Sequence, residues 1–405
     1  MKNRFWLSLT AIALASSMLF SMVGCAGEDI ANQPPEEQGN EQEETPPTPE
    51  EPLILTEGYT GTVGDITYTL PALGASVAVH TELQLSYLKE KMVNNFSKYV
   101  NGQQELSCPA PVTFTWEADG AASDAVYTLA VSESEEMSEP WEFTTSELTF
   151  DVYNLKIGTT YYWTVSVGDD TSGAAFFTTE ARGPRNMYVD GVANVRDMGG
   201  YSIGGNKKVK QGLIYRCGRM NDDYTQKRSI TDEGVDMMLN TMKIKTELDL
   251  RGGKNDPSET GDLTTSVLGA TVAYHHVGMD WSEKNLFTGN KNEIKDVFSI
   301  FAEEESYPLV FHCSIGTDRT GIIAFLLNGL LGVQESDLYR DYLFSNFAYI
   351  QGTRSIDVIT SPTGYGTYIK GHYEGETLSE KIYNALLSIG VTKEQLDSII
   401  QILTA

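Results

Sequence analysis

The amino-acid sequence predicts an α/β domain, with a central sheet flanked by helices, preceded by a β-sandwich. The chain has 405 residues. A chain of this length usually exceeds what a single hydrophobic core supports, so two or more domains are expected. Apolar and polar residues alternate in short segments over residues 109–179, which is typical of antiparallel strands in two layers. After Pro184, helical and strand patterns follow each other, which indicates an α/β domain. We therefore expect the sandwich over residues 53–182 and the α/β domain over residues 183–405.

The first 25 residues have the pattern of a bacterial lipoprotein signal peptide. Lys2 and Arg4 precede an apolar run over residues 5–23, as in export signals. Met22–Cys25 resembles the lipobox, in which the cysteine is lipidated and becomes the new N-terminus. An unlipidated signal peptide and an uncleaved membrane anchor are the alternatives. We predict an exported protein, anchored by a lipid on Cys25 to the bacterial cell membrane or outer membrane and facing the periplasm or the cell surface.

Residues 26–52 predict a disordered acidic tether. They are mostly Glu, Pro, Gln, Asn and Thr, without Lys or Arg, and such a segment cannot bury enough apolar surface to fold. The formal net charge of the whole chain is −27, which argues against nucleic-acid binding and against electrostatic docking on anionic lipid. No other segment has the length and hydrophobicity of a membrane span. Membrane contact is therefore expected through the Cys25 lipid only.

The four cysteines indicate an unpaired thiol. If Cys25 carries lipid, three remain, and an odd count in an exported protein points to a thiol without a disulfide partner. Cys108 and Cys217 are interpreted as small buried apolar residues; a bridge between them has no support. Cys313 is therefore the candidate for a reactive cysteine.

The strands of the sandwich are expected at Val112–Trp116, Tyr127–Val131, Leu155–Val167 and Ala174–Thr178, with a helix over residues 83–96. Trp116 and the spacing of Leu155, Gly158 and Tyr161 resemble fibronectin type III domains, where a Trp lies in the core and a tyrosine corner closes a loop. The resemblance covers residues 109–179. We find no chemistry here and expect a spacer, with a protein-binding module as the alternative.

The α/β domain is expected to contain strand segments at residues 195–203 and 212–220, a strand that ends in a turn over residues 245–253, a strand that runs into a loop over residues 271–281, and a short buried strand over residues 309–311. Helices are predicted over residues 229–240, where Thr231 is the cap, and over residues 292–304, where apolar residues line one face. A further helix begins at Arg319 or Thr320.

The loop between the last strand and that helix combines a thiol with a cation. Five residues separate Cys313 from Arg319, and Gly316 allows a tight turn. Unpaired N–H groups and the positive end of the helix dipole attract an anion at such a position. The guanidinium of Arg319 matches a phosphate in a two-pronged way, and the same field favours the thiolate of Cys313. The loop is therefore predicted to hold phosphate against a nucleophile.

The stretch His312–Gly321, HCSIGTDRTG, resembles the signature of cysteine-dependent protein tyrosine and dual-specificity phosphatases. It is similar to the bacterial branch whose loop reads His-Cys-x-x-Gly-Lys-Asp-Arg-Thr-Gly, which includes secreted phosphatases acting on phosphotyrosine and on phosphoinositides. The resemblance covers residues 184–405 and has four further landmarks: VRDMGGY (195–201), YRCGRM (215–220), LDLR (248–251) and DYLFSN (341–346).

The resemblance implies a mechanism without metal or organic cofactor. Cys313 attacks phosphorus and forms a phosphocysteine, while Arg319 and the backbone N–H groups of the loop hold the phosphate oxygens. Thr320 donates its hydroxyl to the thiolate. The implied phosphate-binding residues are Ser314, Ile315, Gly316, Thr317 and Thr320.

Two aspartates compete for the role of general acid. In the bacterial branch the aspartate inside the loop is the acid, and Asp318 occupies that position. Other branches place their acid in a separate loop. In this chain the candidate on a separate loop is Asp280, which precedes Trp281. We favour Asp318.

The substrate remains open between phosphorylated protein, with phosphotyrosine preferred, and a phosphoinositide or another small phosphoester. Thr317 stands where the branch has Lys, which weakens a polyphosphoinositide interpretation. A non-catalytic surface protein that binds phosphorylated ligands is the alternative from another class; loss of the Cys, the Arg or the acid would favour it, and none is lost.

The remaining polar residues are predicted to be structural. His275 and His276 lack further ligands at metal-site spacing. Asp249 and Arg251 are interpreted as structural, although Arg251 could approach the pocket. Arg196 and Asp197 are expected to form a structural pair.

Overall fold

The first part of the described chain consists of short antiparallel strands. The computed structural model describes residues 56–221, 229–254, 256, 259–260, 263–282 and 286–405; the predicted signal peptide, the tether and Cys25 lie outside them. The strands are β1 (Tyr59–Val63), β2 (Ile66–Leu70), β3 (Val112–Thr115), β4 (Glu117–Asp119), β5 (Tyr127–Ser132), β6 (Trp141–Thr145), β7 (Thr149–Val152), β8 (Thr160–Val167), β9 (Asp170–Thr171) and β10 (Ala175–Thr178).

These strands form three sheets around one hydrophobic core. The largest has the order β10-β8-β5-β6 with β9 beside β8, the second is β1-β2-β4, and β3 pairs with β7. Phe114, Trp163 and Phe177 are fully buried and pack edge to face in this core. The predicted β-rich region ahead of the α/β part is confirmed. The hydroxyl of Tyr161 accepts a hydrogen bond from the backbone N–H of Lys156 at 2.8 Å; the fibronectin type III likeness stays a prediction.

The segment predicted as one helix over residues 83–96 is divided into two short helices and packs on the α/β core. It consists of α1 (Glu82–Leu88), which begins with a capping box between Thr81 and Gln84, and a 3₁₀ helix (Val93–Lys98). Tyr87 lies in the same hydrophobic cluster as the α/β helices. The expected boundary at residue 182 therefore does not separate the two cores, and the division into two domains stays a prediction.

The second part of the chain is built on a six-stranded mixed sheet with the order β11-β12-β15-β18-β16-β17. Apolar clusters cover both of its faces, because alternate residues such as Leu309 and Val310 point to opposite sides. The predicted α/β fold is thus confirmed. Its six strands are β11 (Arg185–Asn186), β12 (Arg196–Asp197), β15 (Ile214–Cys217), β16 (Thr246–Asp249), β17 (Ala273–His276) and β18 (Leu309–His312). Strands β13 (Ser202–Gly204) and β14 (Lys207–Lys208) form a separate two-stranded sheet.

The helices of this part pack against the sheet and against each other. Helix α4 is buried on almost every side, as expected for a helix that is apolar all round. It begins at Asp318, one or two residues before the predicted start. None of the helices in the described ranges is long and apolar enough to cross a bilayer. The helices are α2 (Asp232–Asp236, continued by a π-helical turn, Met237–Thr241), α3 (Lys291–Phe301), α4 (Asp318–Leu330), α5 (Glu335–Phe344), α6 (Asp357–Thr360), α7 (Tyr365–His372), α8 (Leu378–Ser388) and α9 (Lys393–Leu403).

Candidate active site

The loop that joins β18 to α4, called here the Cys313 loop (residues 313–318), lies at the carboxyl end of the parallel strands. Strand β18 pairs in parallel with β15 and β16, which places the loop beside the ends of both neighbours. Gly316 has φ +69°, and a Cβ there would come within 2.4 Å of the carbonyl oxygen of Cys217. Only glycine therefore lets the loop turn this closely against β15.

The thiol of Cys313 is buried and tuned toward the thiolate. Cys313 is only 1% exposed, and burial by itself raises the pKa of a thiol. The positive charge of Arg319 and hydrogen bonding from Thr320 outweigh burial, so the pKa of Cys313 lies below its ordinary value. The side chain that the sequence selected as nucleophile therefore has the electrostatic surroundings that a nucleophilic cysteine needs.

Arg319 has one edge of its guanidinium engaged and one edge open. Its Nη1 and Nη2 atoms donate to the two carboxylate oxygens of Glu259 at 2.6 and 2.8 Å. Its buried Nε has no hydrogen-bond partner among the described residues. A guanidinium carries five N–H groups in a fixed fork, so the edge formed by Nε and Nη2 can still take an anion.

Glu259 is a site residue that the sequence analysis missed. Burial raises the pKa of a carboxyl group, but the bonds from Arg319 and Ser314 and the backbone N–H of Gly252 lower the pKa of Glu259 to about 2. The carboxylate is thus charged at neutral pH and fixes the orientation of Arg319. No local sequence pattern predicts the role of Glu259, because it lies sixty positions before its partner Arg319 in the chain.

A buried ion cluster lies behind the Cys313 loop and corrects one expectation. Arg196 does not pair with Asp197. Its Nε donates to Asp341 at 3.0 Å, and Arg216 donates to the other oxygen of Asp341. Asp197 instead pairs with Arg185 at 2.5 Å. The reason is that adjacent residues of a strand point to opposite faces of the sheet.

His312 connects the base of the site to two carboxylates. Its Nε2 lies 3.0 Å from Glu247, and its Nδ1 lies 3.8 Å from Asp249. Burial lowers the pKa of an imidazole, but these carboxylates outweigh burial and raise the pKa of His312. The protonated form of this imidazole is therefore favoured more than in a free histidine. Arg251 pairs with Asp249 at 2.7 Å, so it takes part in this buried support.

Asp318 is held in an ion pair at the start of α4. Its carboxylate accepts hydrogen bonds from Nε and Nη2 of Arg354 at 3.0 and 3.3 Å. The buried side chain of Asn346 bonds both the backbone N–H and the carbonyl of Arg354, at 2.8 and 3.1 Å. The DYLFSN segment thus fixes the partner of the favoured general acid.

Asp280 lies on a neighbouring loop that also reaches the site. The side chain of the buried Asn290 accepts a hydrogen bond from the backbone N–H of Asp280 at 2.7 Å and donates one to the carbonyl of Asp280 at 3.1 Å. The preceding carbonyl, of Met279, lies 3.5 Å from Nη1 of Arg319. Asp318 thus lies within the Cys313 loop, while the residue before Asp280 contacts Arg319; these contacts do not choose between the two candidate acids.

The other histidine and cysteine candidates form neither a metal site nor a disulfide among the described residues. His276 donates from Nε2 to the carbonyl of Arg251 at 2.7 Å. Cys108, Cys217 and Cys313 form no disulfide with one another. Across the part of the chain that the structure describes, no three His, Cys, Asp or Glu side chains are arranged to hold a metal ion.

Comparison with solved structures finds proteins that share little sequence with this chain. The core catalytic domain of the PP-IP phosphatase SIW14 from S. cerevisiae, in complex with citrate, is 14% identical, with a TM-score of 0.26 over 40% of this chain and 91% of its own. P. aeruginosa TpbA is 16% identical, with a TM-score of 0.27 over 45% of this chain and 90% of its own.

Comparison of sequences finds similarity to tyrosine phosphatases over the part of the chain that contains the site. A Cupriavidus necator protein that carries a tyrosine-protein phosphatase name is 27% identical over 184 residues, which are 41% of this chain and 64% of that protein. The tyrosine-protein phosphatase of Nostoc commune is 40% identical over 60 residues, 15% of this chain and 20% of its own. The chain thus spans less than two thirds of these curated relatives. The profile described as the tyrosine phosphatase family matches residues 187–363. The matched residues contain the Cys313 loop and the side chains that support it, so this part of the chain is similar to the tyrosine phosphatase family.

Proposed function

We propose that this protein hydrolyses phosphate monoesters through a phosphocysteine, with phosphotyrosine in proteins as its substrate class. One observation carries the proposal: the buried Nε of Arg319 has no hydrogen-bond partner among the described residues, and the same side chain lies beside a thiol that is tuned toward the thiolate. Leaving a buried donor unpaired costs about 1–3 kcal/mol. A phosphate bound in the Cys313 loop would satisfy the Arg319 edge and lie against the sulfur.

Each residue of the site then has a role in the two steps of the reaction. The sulfur of Cys313 forms a bond to phosphorus as the bond to the ester oxygen breaks, and the leaving oxygen takes a proton from Asp318 or Asp280. Arg319 and the loop N–H groups hold the phosphoryl oxygens as charge moves. Glu259 keeps the guanidinium in place. Water then gives a proton to the same carboxylate and attacks phosphorus, the P–S bond breaks, and the thiolate and inorganic phosphate are released.

A substrate panel tests the proposal on a chain that starts at Pro52, where the compact unit begins. We expect hydrolysis of p-nitrophenyl phosphate in the presence of EDTA, inhibition by vanadate, and a higher kcat/KM for phosphotyrosine peptides than for phosphoserine peptides or phosphoinositides. A requirement for added metal would contradict the cysteine mechanism. Preference for a phosphoinositide would keep the mechanism and change the substrate class.

We propose that the protein is exported and anchored to a bacterial membrane by a lipid on Cys25. The support is the lipobox pattern and the acidic segment that follows it. Labelled palmitate should enter the full-length chain in a bacterial host, should be absent from Cys25→Ala, and should remain in the control Cys108→Ala. Equal labelling of all three chains would refute the anchor.

A further inference from the structure

A buried asparagine holds two carbonyl groups of the Cys313 loop. Nδ2 of Asn194 lies 3.0 Å from the carbonyl oxygen of Ile315 and 3.1 Å from that of Gly316. Nη2 of Arg216 also donates to Gly316, at 2.7 Å. In a trans peptide the C=O and N–H groups point in opposite directions. The N–H groups of Gly316 and Thr317 therefore point away from Asn194 and Arg216, toward the side on which we infer the phosphate.

Asn194 itself is held by three constraints. Its φ is +61°, a left-handed conformation that asparagine tolerates better than most residues. Its side-chain oxygen accepts a hydrogen bond from Arg196. Its backbone N–H, which is fully buried, donates to the hydroxyl of Ser107 at 3.2 Å. A buried N–H left without this acceptor would carry a desolvation cost.

Ser107 belongs to the N-terminal part of the chain, which the sequence analysis interpreted as a spacer. The segment before it is attached to the α/β part by backbone hydrogen bonds. Gly102 donates to the carbonyl of Asn346 at 2.9 Å, and Leu106 donates to that of Phe347 at 2.7 Å. The ring of Tyr87 packs against Phe347 with a centroid distance of 5.7 Å. These contacts fix Ser107 beside Asn194.

We propose that Ser107 is a positioning residue for the phosphatase reaction and that residues 82–107 are part of the catalytic unit. Ser107 fixes Asn194, Asn194 turns the carbonyls of Ile315 and Gly316 outward, and the loop N–H groups are thereby aimed at the phosphoryl oxygens. The inference rests on the proposed function but goes beyond it, because it assigns a role in anion binding to the N-terminal region.

The test compares Ser107→Ala with Ser107→Thr, which keeps the hydroxyl. Thr353→Ala is the matched control, because it removes a bond from Thr353 to the carbonyl of Asn101 in the same segment, on the exposed rim. The readouts are the inhibition constant of inorganic phosphate, KM and kcat for p-nitrophenyl phosphate, and thermal unfolding. We expect Ser107→Ala to weaken phosphate binding about tenfold, the order of one hydrogen bond. Ser107→Thr should recover most of this loss, and the control should change less than twofold.

Two results would overturn the inference: a phosphate inhibition constant in Ser107→Ala equal to that of the control, or no recovery in Ser107→Thr. If Ser107→Ala does not fold, the phosphate affinity of Asn194→Asp tests the inference instead. This isosteric change replaces a donor by an oxygen facing two carbonyls, and a folded variant with unchanged phosphate affinity would exclude the role. An unmodified protein without phosphatase activity would refute the proposed function instead, and the two failures are thus distinguishable.

Discussion

Cys313→Ser is expected to abolish turnover of every phosphoester that the unmodified protein hydrolyses. Serine is nearly isosteric, but its hydroxyl is far too weakly acidic for Arg319 and Thr320 to stabilise its anion at neutral pH. Removal of a catalytic nucleophile costs on the order of 10⁴–10⁶-fold in rate. Steady-state hydrolysis of p-nitrophenyl phosphate measures the loss, and Cys108→Ser is the matched control, because Cys108 lies outside the Cys313 loop.

The same thiol predicts a pH dependence. The pKa of Cys313 lies below its ordinary value, so the thiolate persists in the folded protein at pH values where a free cysteine is protonated. Alkylation by iodoacetamide should therefore be fast at neutral pH and should fall only as the pH drops through the lowered pKa. Substantial activity in Cys313→Ser, or alkylation that rises only above pH 9, would contradict the phosphocysteine mechanism.

Asp318→Asn is expected to slow substrates with poor leaving groups far more than substrates with good ones. A general acid matters most when the leaving oxygen is basic, and such proton transfer contributes about 10²–10⁴-fold. The comparison uses phenyl phosphate and p-nitrophenyl phosphate on Asp318→Asn and on Asp280→Asn, which serves as the matched control. We expect the selective defect with phenyl phosphate in Asp318→Asn only.

Binding gives a second signature of the same change. Asp318 lies at the start of α4 within the loop that we propose to hold phosphate, so its negative charge opposes the bound anion. Removing that charge should tighten ground-state binding, and KM should then fall together with kcat. If the leaving-group defect appears in Asp280→Asn instead, the acid lies on the loop that Asn290 holds, and this protein is nearer to phosphatase branches with a separate acid loop.

The sequence by itself determined the features that depend on local order. Cys313, Gly316 and Arg319 lie within seven consecutive residues, and their chemistry follows from a strand, a tight turn and a helix N-terminus. The alternation in β3 and the apolar face of α3 likewise predict their elements, because burial on one side leaves a period of two or of 3.6 residues. The family resemblance could be read from the same stretch.

Pairings between distant segments could not be predicted in this way. Arg196 and Asp197 are neighbours in the chain but point to opposite faces of β12, so their partners come from Asp341 and Arg185. Helix α1 has the pattern of any amphipathic helix, and that pattern does not say which core its apolar face will meet.

The support of the active site was decided by tertiary structure. Glu259 reaches Arg319 across sixty residues, and Ser107 reaches Asn194 across eighty-seven. A glutamate or a serine in a loop has no periodicity, and its role depends on which buried charge or N–H group the folded backbone brings beside it. Local sequence thus specified the thiol and the cation that face the phosphate, while packing of remote segments selected the residues that hold them in place.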